Sequence, residues 1–202
     1  MRGVLDARTW TLGPEHRATL ICTTDLARSL GQLGVGAEAA ALLRTTLAVH
    51  VRTLGPDDGS TLATESSLVE ALSDLGDYAD AGELGQYSLE KVRRVLHRDH
   101  RATLVLSTSL ALSLSEQGKD AEAAEIEREV LVQKTRLLGA EHESTLNSAS
   151  NLALSLFECG QKMEVEQLFR ETLAVSRRAL GPTHDDTQNV LETVSALGLA
   201  AR

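Results

Sequence analysis

The sequence predicts an all-α protein in which antiparallel helix pairs stack into an α-solenoid. Three observations carry this prediction: a phrase that recurs every 42 residues, helical spacing of the apolar residues between its copies, and no segment with the alternation of a β-strand. The phrase reads LGPEHRATL at 12–20, LGPDDGSTL at 54–62, LHRDHRATL at 96–104, LGAEHESTL at 138–146 and LGPTHDDTQ at 180–188. Self-similarity at one fixed period of this size is typical of stacked repeat arrays.

Taken in order, the repeats divide the chain into a single array. We expect residues 1–11 to be the tail of a preceding repeat, 12–53, 54–95, 96–137 and 138–179 to be four full repeats, and 180–202 to be the first helix of a partial fifth. Because both ends fall within a repeat, we interpret the chain as a fragment or reduced copy of a longer array. The alternative is that its open ends pair with another subunit. The last helix, expected to reach Arg202, would leave four apolar residues uncovered: Val190, Leu191, Val194 and Leu197.

Each full repeat resolves into two helices. In the first repeat, ATLICTTDLARSLGQLG predicts one helix from two apolar sets at helical spacing, Leu20, Ala27 and Leu30 in one and Leu26, Leu30 and Leu33 in the other. The next stretch, AEAAALLRTTLAVHVRTLG, predicts a second helix with Ala39, Leu42, Leu43 and Leu47 facing inward. Glycine accepts the left-handed conformation of a helix C-terminus, and it ends the first helices at Gly34, Gly76, Gly118 and Gly160. Leu-Gly-Pro ends second helices, because proline cannot continue a helix.

Composition narrows the classes of function. Apolar residues make up 42% of the 202 residues but aromatic residues only 2%, so the core is expected to be aliphatic. The formal net charge of −9 argues against nucleic acid and anionic membranes as partners. Cys22 and Cys159 lie about three repeats apart, which does not indicate a disulfide framework. No stretch resembles a signal peptide or a membrane span, so we expect a cytoplasmic protein.

Two charged positions recur at the predicted helix boundaries. Arginines fall in the last turn of the second helices, at Arg52, Arg94, Arg136 and Arg178. Acids precede the first helices, at Glu15, Asp57, Asp99 and Glu141. Both placements suit the helix macrodipole. Because an acid lies five residues away in each pair, we favour this structural role over an anion-binding ladder.

A histidine recurs one residue after these acids. It stands at His16, His100, His142 and His184, with Asp58 in its place in the second repeat. A ladder of metal sites is one interpretation, since histidine is a common ligand. Successive copies would lie about two helix diameters apart, too far for shared ligation. We therefore predict a role in the turn at the helix entrance, and no metal or cofactor.

These repeats resemble the 42-residue tetratricopeptide (TPR) repeat of the kinesin-light-chain type, in which LG-x-[DE]-H precedes a first helix with an Asn-Asn pair. The resemblance covers essentially the whole chain. It implies a right-handed superhelix whose first helices line a concave groove that binds a peptide or a partner protein, with no enzymatic activity in the repeat.

The sequence also departs from that family pattern. The small residue expected in the second helix is kept at Ala39, Ala81 and Ala123, but is Val165 in the fourth repeat. The large residue one turn later is kept at Leu43 and Phe169, but is Gly85 and Glu127 in the middle repeats. Of the Asn-Asn pair only Asn151 remains.

The resemblance also implies which positions face the groove. They are the former Asn-Asn pair and the residue three further on, which here are Thr24, Asp25, Arg28, Ser66, Ser67, Glu70, Thr108, Ser109, Leu112, Ser150, Asn151 and Leu154. Beyond them, Gln32, Asp74, Glu116 and Glu158 form a mostly acidic rim. Small hydroxyls offer a peptide backbone donors and acceptors, and an acidic rim favours a basic ligand. The hypothesis is a groove for a basic or neutral extended segment. The alternative is that small residues occur there only because the helices pack closely.

The most direct interpretation of the function is a protein–protein interaction scaffold. One alternative is a regulatory arm of a larger signalling protein, for example one with a nucleotide-switch domain, and another is self-assembly through open ends of the array. We expect no catalysis, because no base is indicated beside either cysteine. No Gly-rich phosphate loop follows a strand, so we expect no nucleotide site.

Overall fold

The computed structural model describes residues 2–96 and 100–198 of the chain. Within these ranges all regular secondary structure is helical, which confirms the predicted all-α class. The helices are α1 (Arg2–Leu12), α2 (Arg17–Gln32), α3 (Gly36–Leu54), α4 (Gly59–Asp74), α5 (Tyr78–Leu96), α6 (Arg101–Glu116), α7 (Asp120–Leu138), α8 (Glu143–Glu158), α9 (Lys162–Ala179) and α10 (Asp185–Ala196). The even-numbered helices are the predicted first helices of each repeat, and α3, α5, α7 and α9 are the second.

The chain divides into two compact units, Met1–Ser113 and Leu114–Arg202. In unit 1, α2 packs on α3, α3 on α4 and α4 on α5, while α2 also contacts α4. In unit 2, α7 packs on α8, α8 on α9 and α9 on α10, while α10 also contacts α8. Each unit thus shows stacking of consecutive helices, with contacts between successive first helices.

A side-chain cap starts each of five helices. The recurrent histidine, or Asp58 in its place, accepts a hydrogen bond from the backbone N–H two residues on. The acceptors are His16 Nδ1 for Ala18 (3.2 Å), Asp58 Oδ1 for Ser60 (2.8 Å), His100 Nδ1 for Ala102 (3.2 Å), His142 Nδ1 for Ser144 (3.1 Å) and His184 Nδ1 for Asp186 (3.2 Å). Such caps satisfy N–H groups that lack a partner in the first turn. The predicted role of this position in the turn is confirmed.

Left-handed glycines end the first helices. Gly34, Gly76, Gly118 and Gly160 have φ of +79°, +77°, +73° and +74°. At the first of them, the N–H of Val35 reaches back to the Leu30 carbonyl at 2.9 Å, the six-to-one hydrogen bond of a Schellman ending. The predicted ends of these helices are therefore confirmed.

The core of unit 1 is aliphatic, as expected. Leu20, Leu26 and Leu30 of α2 are buried, but Leu33 is 77% exposed. The assignment of Leu33 to the inward face is wrong, because this residue is the C-cap of α2 and lies beyond its last regular turn.

The core of unit 2 includes the last helix. Val190 and Val194 of α10 are 1% and 3% exposed, and they pack with residues of α8 and α9 such as Leu156 and Phe169. Leu191 and Leu197 are partly buried against the same cluster. The expectation that these four residues would be uncovered is wrong, since α10 turns its apolar face to the preceding helices. The helix ends at Ala196, and the expected end, Arg202, lies outside the described residues.

Exposed ion pairs join the start and the end of single repeats. Arg52 contacts Glu15 at 2.6 Å, and Arg94 contacts Asp57 at 3.7 Å. In both pairs the acid lies 37 residues earlier, at the start of the same repeat. Each of these two arginines thus has an acid partner other than the one five residues further on, because the second helix lies alongside the entrance to its own first helix. Asp99, expected in the same series, lies outside the described residues.

Polar pairs also occur inside the interfaces between repeats. His50 Nδ1 lies 3.0 Å from Thr64 Oγ1, and Lys134 Nζ donates to Ser148 Oγ at 2.8 Å. We use the name pairing positions for the second-helix residues His50, Val92, Lys134 and Ser176 and the first-helix residues Thr64, Leu106, Ser148 and Val190, each 42 residues apart. Val92, Leu106, Ser176 and Val190 are fully buried or nearly so. Polar and apolar chemistry thus differs from one interface to the next.

Candidate functional site

A cavity of about 380 Å³ opens between the first helices of unit 1. Half of the predicted groove residues line it, namely Thr24, Asp25, Arg28, Ser66, Ser67 and Glu70. They come from the middle of α2 and α4, which pack together because both carry small residues there. The structure therefore brings these six side chains to one place.

The other six predicted groove residues do not line this cavity. On α6 of unit 1, Ser109 is buried, Thr108 is half-buried and Leu112 is 40% exposed. On α8 of unit 2, Ser150 is half-buried, whereas Asn151 and Leu154 are exposed. Their role in binding stays a prediction.

Several of the hydroxyls already have intrahelical partners. Ser66 Oγ, on a residue 1% exposed, donates to the Leu62 carbonyl at 2.9 Å. Thr24 Oγ1 donates to the Leu20 carbonyl at 3.2 Å. These two residues fit the close-packing alternative, since their protons are used within the helix and not offered to a ligand.

Sequence reasoning missed much of the lining. Ile21, Leu96 and Val105 add apolar surface, and Arg17 and Arg101 add charge. The sequence does contain an indication of these arginines, because Arg17 and Arg101 occupy the same position of their repeats. Gly59 holds that position in the repeat between them. The family pattern directed attention to the Asn-Asn positions and away from this one.

The charges around the cavity are close to balance. Arg28 pairs with Asp25, and Arg17 lies 3.6 Å from Asp58 and donates to Ser60 Oγ at 3.1 Å. Burial, helped by Asp74, raises the pKa of Glu70, and Arg28 and Arg101 oppose that rise. Three arginines therefore line the cavity with two carboxylates. The expected acidic character does not extend to this part of unit 1.

The expected rim residues Gln32 and Asp74 line a smaller neighbouring cavity of about 60 Å³. Burial raises the pKa of Asp74. The apolar wall of this cavity comes from residues such as Ala39 and Leu43. It is too small to hold more than a short side chain.

His50, on α3, is a fully buried polar side chain of the main cavity. It lines the cavity, is 0% exposed and contacts Thr64 Oγ1 through Nδ1 at 3.0 Å. Burial lowers the pKa of His50, with Asp58 opposing and Arg17 adding to that effect. The imidazole is therefore neutral at pH 7. Sequence reasoning missed it because it lies on a second helix.

A wider cavity of about 630 Å³ lies on the side of unit 1 formed by α3 and α5. Leu47, Leu84 and the exposed Tyr87 provide its apolar surface. The ion pair between Arg44 and Asp80, 3.0 Å apart, stands at its edge. Nothing in the repeat pattern predicted this surface.

Three further features of the part of the chain that the structure describes bear on other kinds of site. There, no group of three or more His, Cys, Asp or Glu side chains is placed to hold a metal ion. Cys22 and Cys159 are free thiols, the first buried and the second half-buried. No described helix is both long and apolar enough to cross a bilayer.

Comparison with known proteins identifies the repeats. A family model of the tetratricopeptide repeat matches residues 19–58, 103–144 and 145–186, more than half of the chain. The unmatched stretch between the first two segments contains Gly85, one of the departures from the family pattern. No curated protein sequence matches the chain.

Solved structures give the same result. Two crystal structures of a candidate kinesin light chain of Podosopora anserina with nearly identical TPR-like repeats are 26% identical to this chain. One, a single-substitution variant, covers 87% of this chain and 83% of its own with a TM-score of 0.78, and the other covers 91% and 97% with 0.76. BtubC (BKLC) from P. vanneervenii, 18% identical, shares the fold, covering 97% of this chain and 79% of its own with a TM-score of 0.76. The chain therefore belongs to the tetratricopeptide repeat family, and its repeats are of the kinesin-light-chain type.

Proposed function

We propose that this protein is an interaction scaffold that holds an extended, neutral segment of a partner protein along the first helices of unit 1. The observation that carries the proposal is the cavity of about 380 Å³, lined by six residues that the repeat pattern predicted to face a ligand. Clefts of roughly 300–1,000 Å³ are typical of ligand sites. The cavity is thus large enough to take one anchoring side chain of a bound segment.

The lining favours a neutral segment over a basic one. Ile21, Ala63 and Val105 provide apolar surface, which a hydrocarbon or aromatic side chain would cover. A cationic side chain would meet three arginines and would have to displace Arg28 from Asp25. Repulsion between this cationic side chain and the arginines would oppose binding. Of the two ligands expected from the sequence, the neutral one therefore has the better support.

The proposal involves no catalysis. The hydroxyls of Thr24 and Ser66 donate to carbonyls of their own helices. Two histidines line the cavity. His50 contacts a threonine hydroxyl, and His100 Nδ1 accepts from the backbone N–H of Ala102. Affinity would come from buried surface and from polar groups that orient the segment.

A matched pair of substitutions tests the location. Ile21 and Val51 are both β-branched and both 41% exposed, but only Ile21 lines the cavity. Peptides selected from a random display library on the full chain should bind Ile21→Arg at least tenfold more weakly and Val51→Arg unchanged. Circular dichroism would confirm that both variants fold. Equal binding to both variants, or equal loss in both, would place the peptide site elsewhere.

A further inference from the structure

One buried atom beside the cavity of unit 1 lacks a hydrogen-bond partner. His50 Nε2 is buried and has none among the described residues. Other buried atoms in this state belong to Glu65, Ser88, Glu127, Thr145 and Thr187, and none of those residues lines the cavity. Buried polar groups are nearly always paired, so each exception requires an explanation.

The surrounding hydrogen bonds determine which ring nitrogen of His50 carries the proton. Thr64 Oγ1 lies 3.0 Å from His50 Nδ1, 3.1 Å from Thr24 Oγ1 and 2.9 Å from the Ser60 carbonyl. Its single proton serves the carbonyl, which cannot donate. The oxygen then accepts from His50 Nδ1–H, while Thr24 uses its own proton for the Leu20 carbonyl. In the other tautomer Thr64 would donate to His50, and the bond to Ser60 would be lost. The arrangement that makes more bonds leaves Nε2 with a free lone pair.

The chemistry of the cavity lining bears on which kind of hydrogen-bond donor Nε2 would accept from. Part of the cavity lining is apolar, comprising Ile21, Ala63, Leu96, Ala102 and Val105. Arg17 and Arg28 are engaged with Asp58 and Asp25, so each of these guanidinium groups already has a carboxylate partner. A buried lone pair beside this apolar lining suits an uncharged donor, because a charged one would lose its hydration without a counter-charge.

We propose that His50 determines specificity in this cavity by accepting, at Nε2, a hydrogen bond from a neutral hydroxyl or amide N–H group of the bound segment. This inference rests on the proposed function and names the chemistry of the anchoring group. His50 has no equivalent at the matching positions Val92, Lys134 and Ser176. The selectivity therefore belongs to the first interface of the array.

Nitrogen-15 spectroscopy of the histidine rings tests the proposal on the full chain. The capping histidines accept at Nδ1 and so carry their proton on Nε2, whereas His50 should show the opposite pattern. The probes are 4-methylphenol, which has a hydroxyl donor, and 4-methylanisole, which has the same ring and no donor. The phenol should bind roughly 2- to 10-fold more tightly, the effect of one hydrogen bond, and should shift the His50 Nε2 resonance.

A paired replacement supplies the control. His50→Val with Thr64→Leu installs the residues that the chain itself carries at Val92 and Leu106, both fully buried, so the variant should fold. In it the preference for the phenol should vanish. Equal affinity of the two probes for the natural chain, no binding of 4-methylphenol at millimolar concentration, or an unchanged preference in the double variant would overturn the proposal. None of these outcomes depends on the peptide selection, so the groove proposal would stand or fall separately.

Discussion

Glu127 on α7 occupies the position that holds Leu43 in α3 and Phe169 in α9. It is 7% exposed, and its Oε2 has no hydrogen-bond partner among the described residues. Burial raises the pKa of Glu127 to about 7, the hydrogen bond with Ser155 opposes this rise, and Asp120 adds to it. An acid thus stands where the fold elsewhere places a hydrophobic side chain.

Replacing Glu127 should change stability in a pH-dependent way. The folded-state pKa lies above the ordinary value of 4.5, so the stability that this group contributes is fully present below pH 4.5 and is lost as pH rises through 7. Glu127→Gln should therefore raise the free energy of unfolding at pH 8, by on the order of 3 kcal/mol, and leave it nearly unchanged at pH 4. Urea unfolding of both proteins at the two pH values measures this. A gain of equal size at both would indicate repacking and not titration.

The ion pair between Lys91 and Glu65 is the most buried one described in unit 1. Lys91 Nζ lies 3.0 Å from Glu65 Oε1, with side-chain exposures of 16% and 6%, and also lies 4.5 Å from the centre of the Tyr87 ring. One repeat earlier the same positions hold Thr23 and Val49. The fold therefore also accommodates uncharged residues at the two positions of this ion pair.

Removing one partner of this ion pair should cost more stability than replacing both partners with uncharged residues. Lys91→Val leaves Glu65 buried without its counter-charge, and we expect a loss of about 3–5 kcal/mol. The double variant Lys91→Val with Glu65→Thr should lose much less, within about 1 kcal/mol of the natural chain, since exchanging a buried pair for uncharged residues is often neutral. Thermal unfolding of the three proteins compares them. A double variant as unstable as the single one would show that the charges contribute net stability.

At this scale the sequence predicts residues whose role is local. The capping histidines follow from their place before each helix, because a cap bonds only two residues away. His50 could not be predicted in the same way. Its partner Thr64 lies on another helix, and only the packing of α3 on α4 brings the two together.

At the scale of single helices, the recurrent cap offers a direct comparison. His16 Nδ1 accepts from Ala18 N–H at 3.2 Å, whereas Asp58 accepts in the same geometry at 2.8 Å. A carboxylate also suits the positive end of the helix macrodipole.

Substitution at the first cap should separate these effects. His16→Ala should destabilise the protein by about 1 kcal/mol, because it removes the side-chain acceptor. His16→Asp should keep the cap and add up to about 1 kcal/mol through the macrodipole. Chemical unfolding at pH 7 and low salt gives both values. If alanine proved as stable as histidine, the cap would have no measurable energetic role.

Helix boundaries were predictable because their causes lie within a few residues. The glycine endings needed no tertiary knowledge, and Gly34 has the expected positive φ. Gly85 shows the opposite case. A Cβ there would lie 3.0 Å from Leu110 Cδ1, so a side chain from α6 fills the space that the family gives to a large residue of α5. A departure that looks like a gap in sequence is compensated by a neighbouring helix.

For the whole molecule, the two compact units suggest that stability is held locally. In a repeat protein it is approximately a sum of repeat terms and nearest-neighbour interface terms. Glu127 and its partner Ser155 lie on α7 and α8, both in unit 2. Glu127→Gln should therefore raise hydrogen-exchange protection in α7 and α8 at pH 8 while leaving α2 and α3 unchanged. Uniform protection across all helices would mean that the chain unfolds as one cooperative body.

The candidate site was half predictable at this scale. Ser67 and Glu70, which the family pattern selected, line the cavity, and their role in binding stays a prediction. The charge of the cavity was not predictable, since Arg17 and Arg101 reach it from the entrances of α2 and α6. The groove and rim positions chosen from the family pattern do not include these two arginines.

The chemistry of the pairing positions bears on how such a gene can change length. Unequal recombination that removed residues 54–95 would preserve the 42-residue phase, the glycine endings of the first helices that remain and the contact of Arg52 with Glu15. It would also set His50 against Leu106 in place of Thr64. The imidazole would then lose its only described partner inside a closed interface. The number of repeats is thus constrained by which residues meet across each interface. A deletion of one whole repeat that keeps both the reading frame and the 42-residue period should still be selected against.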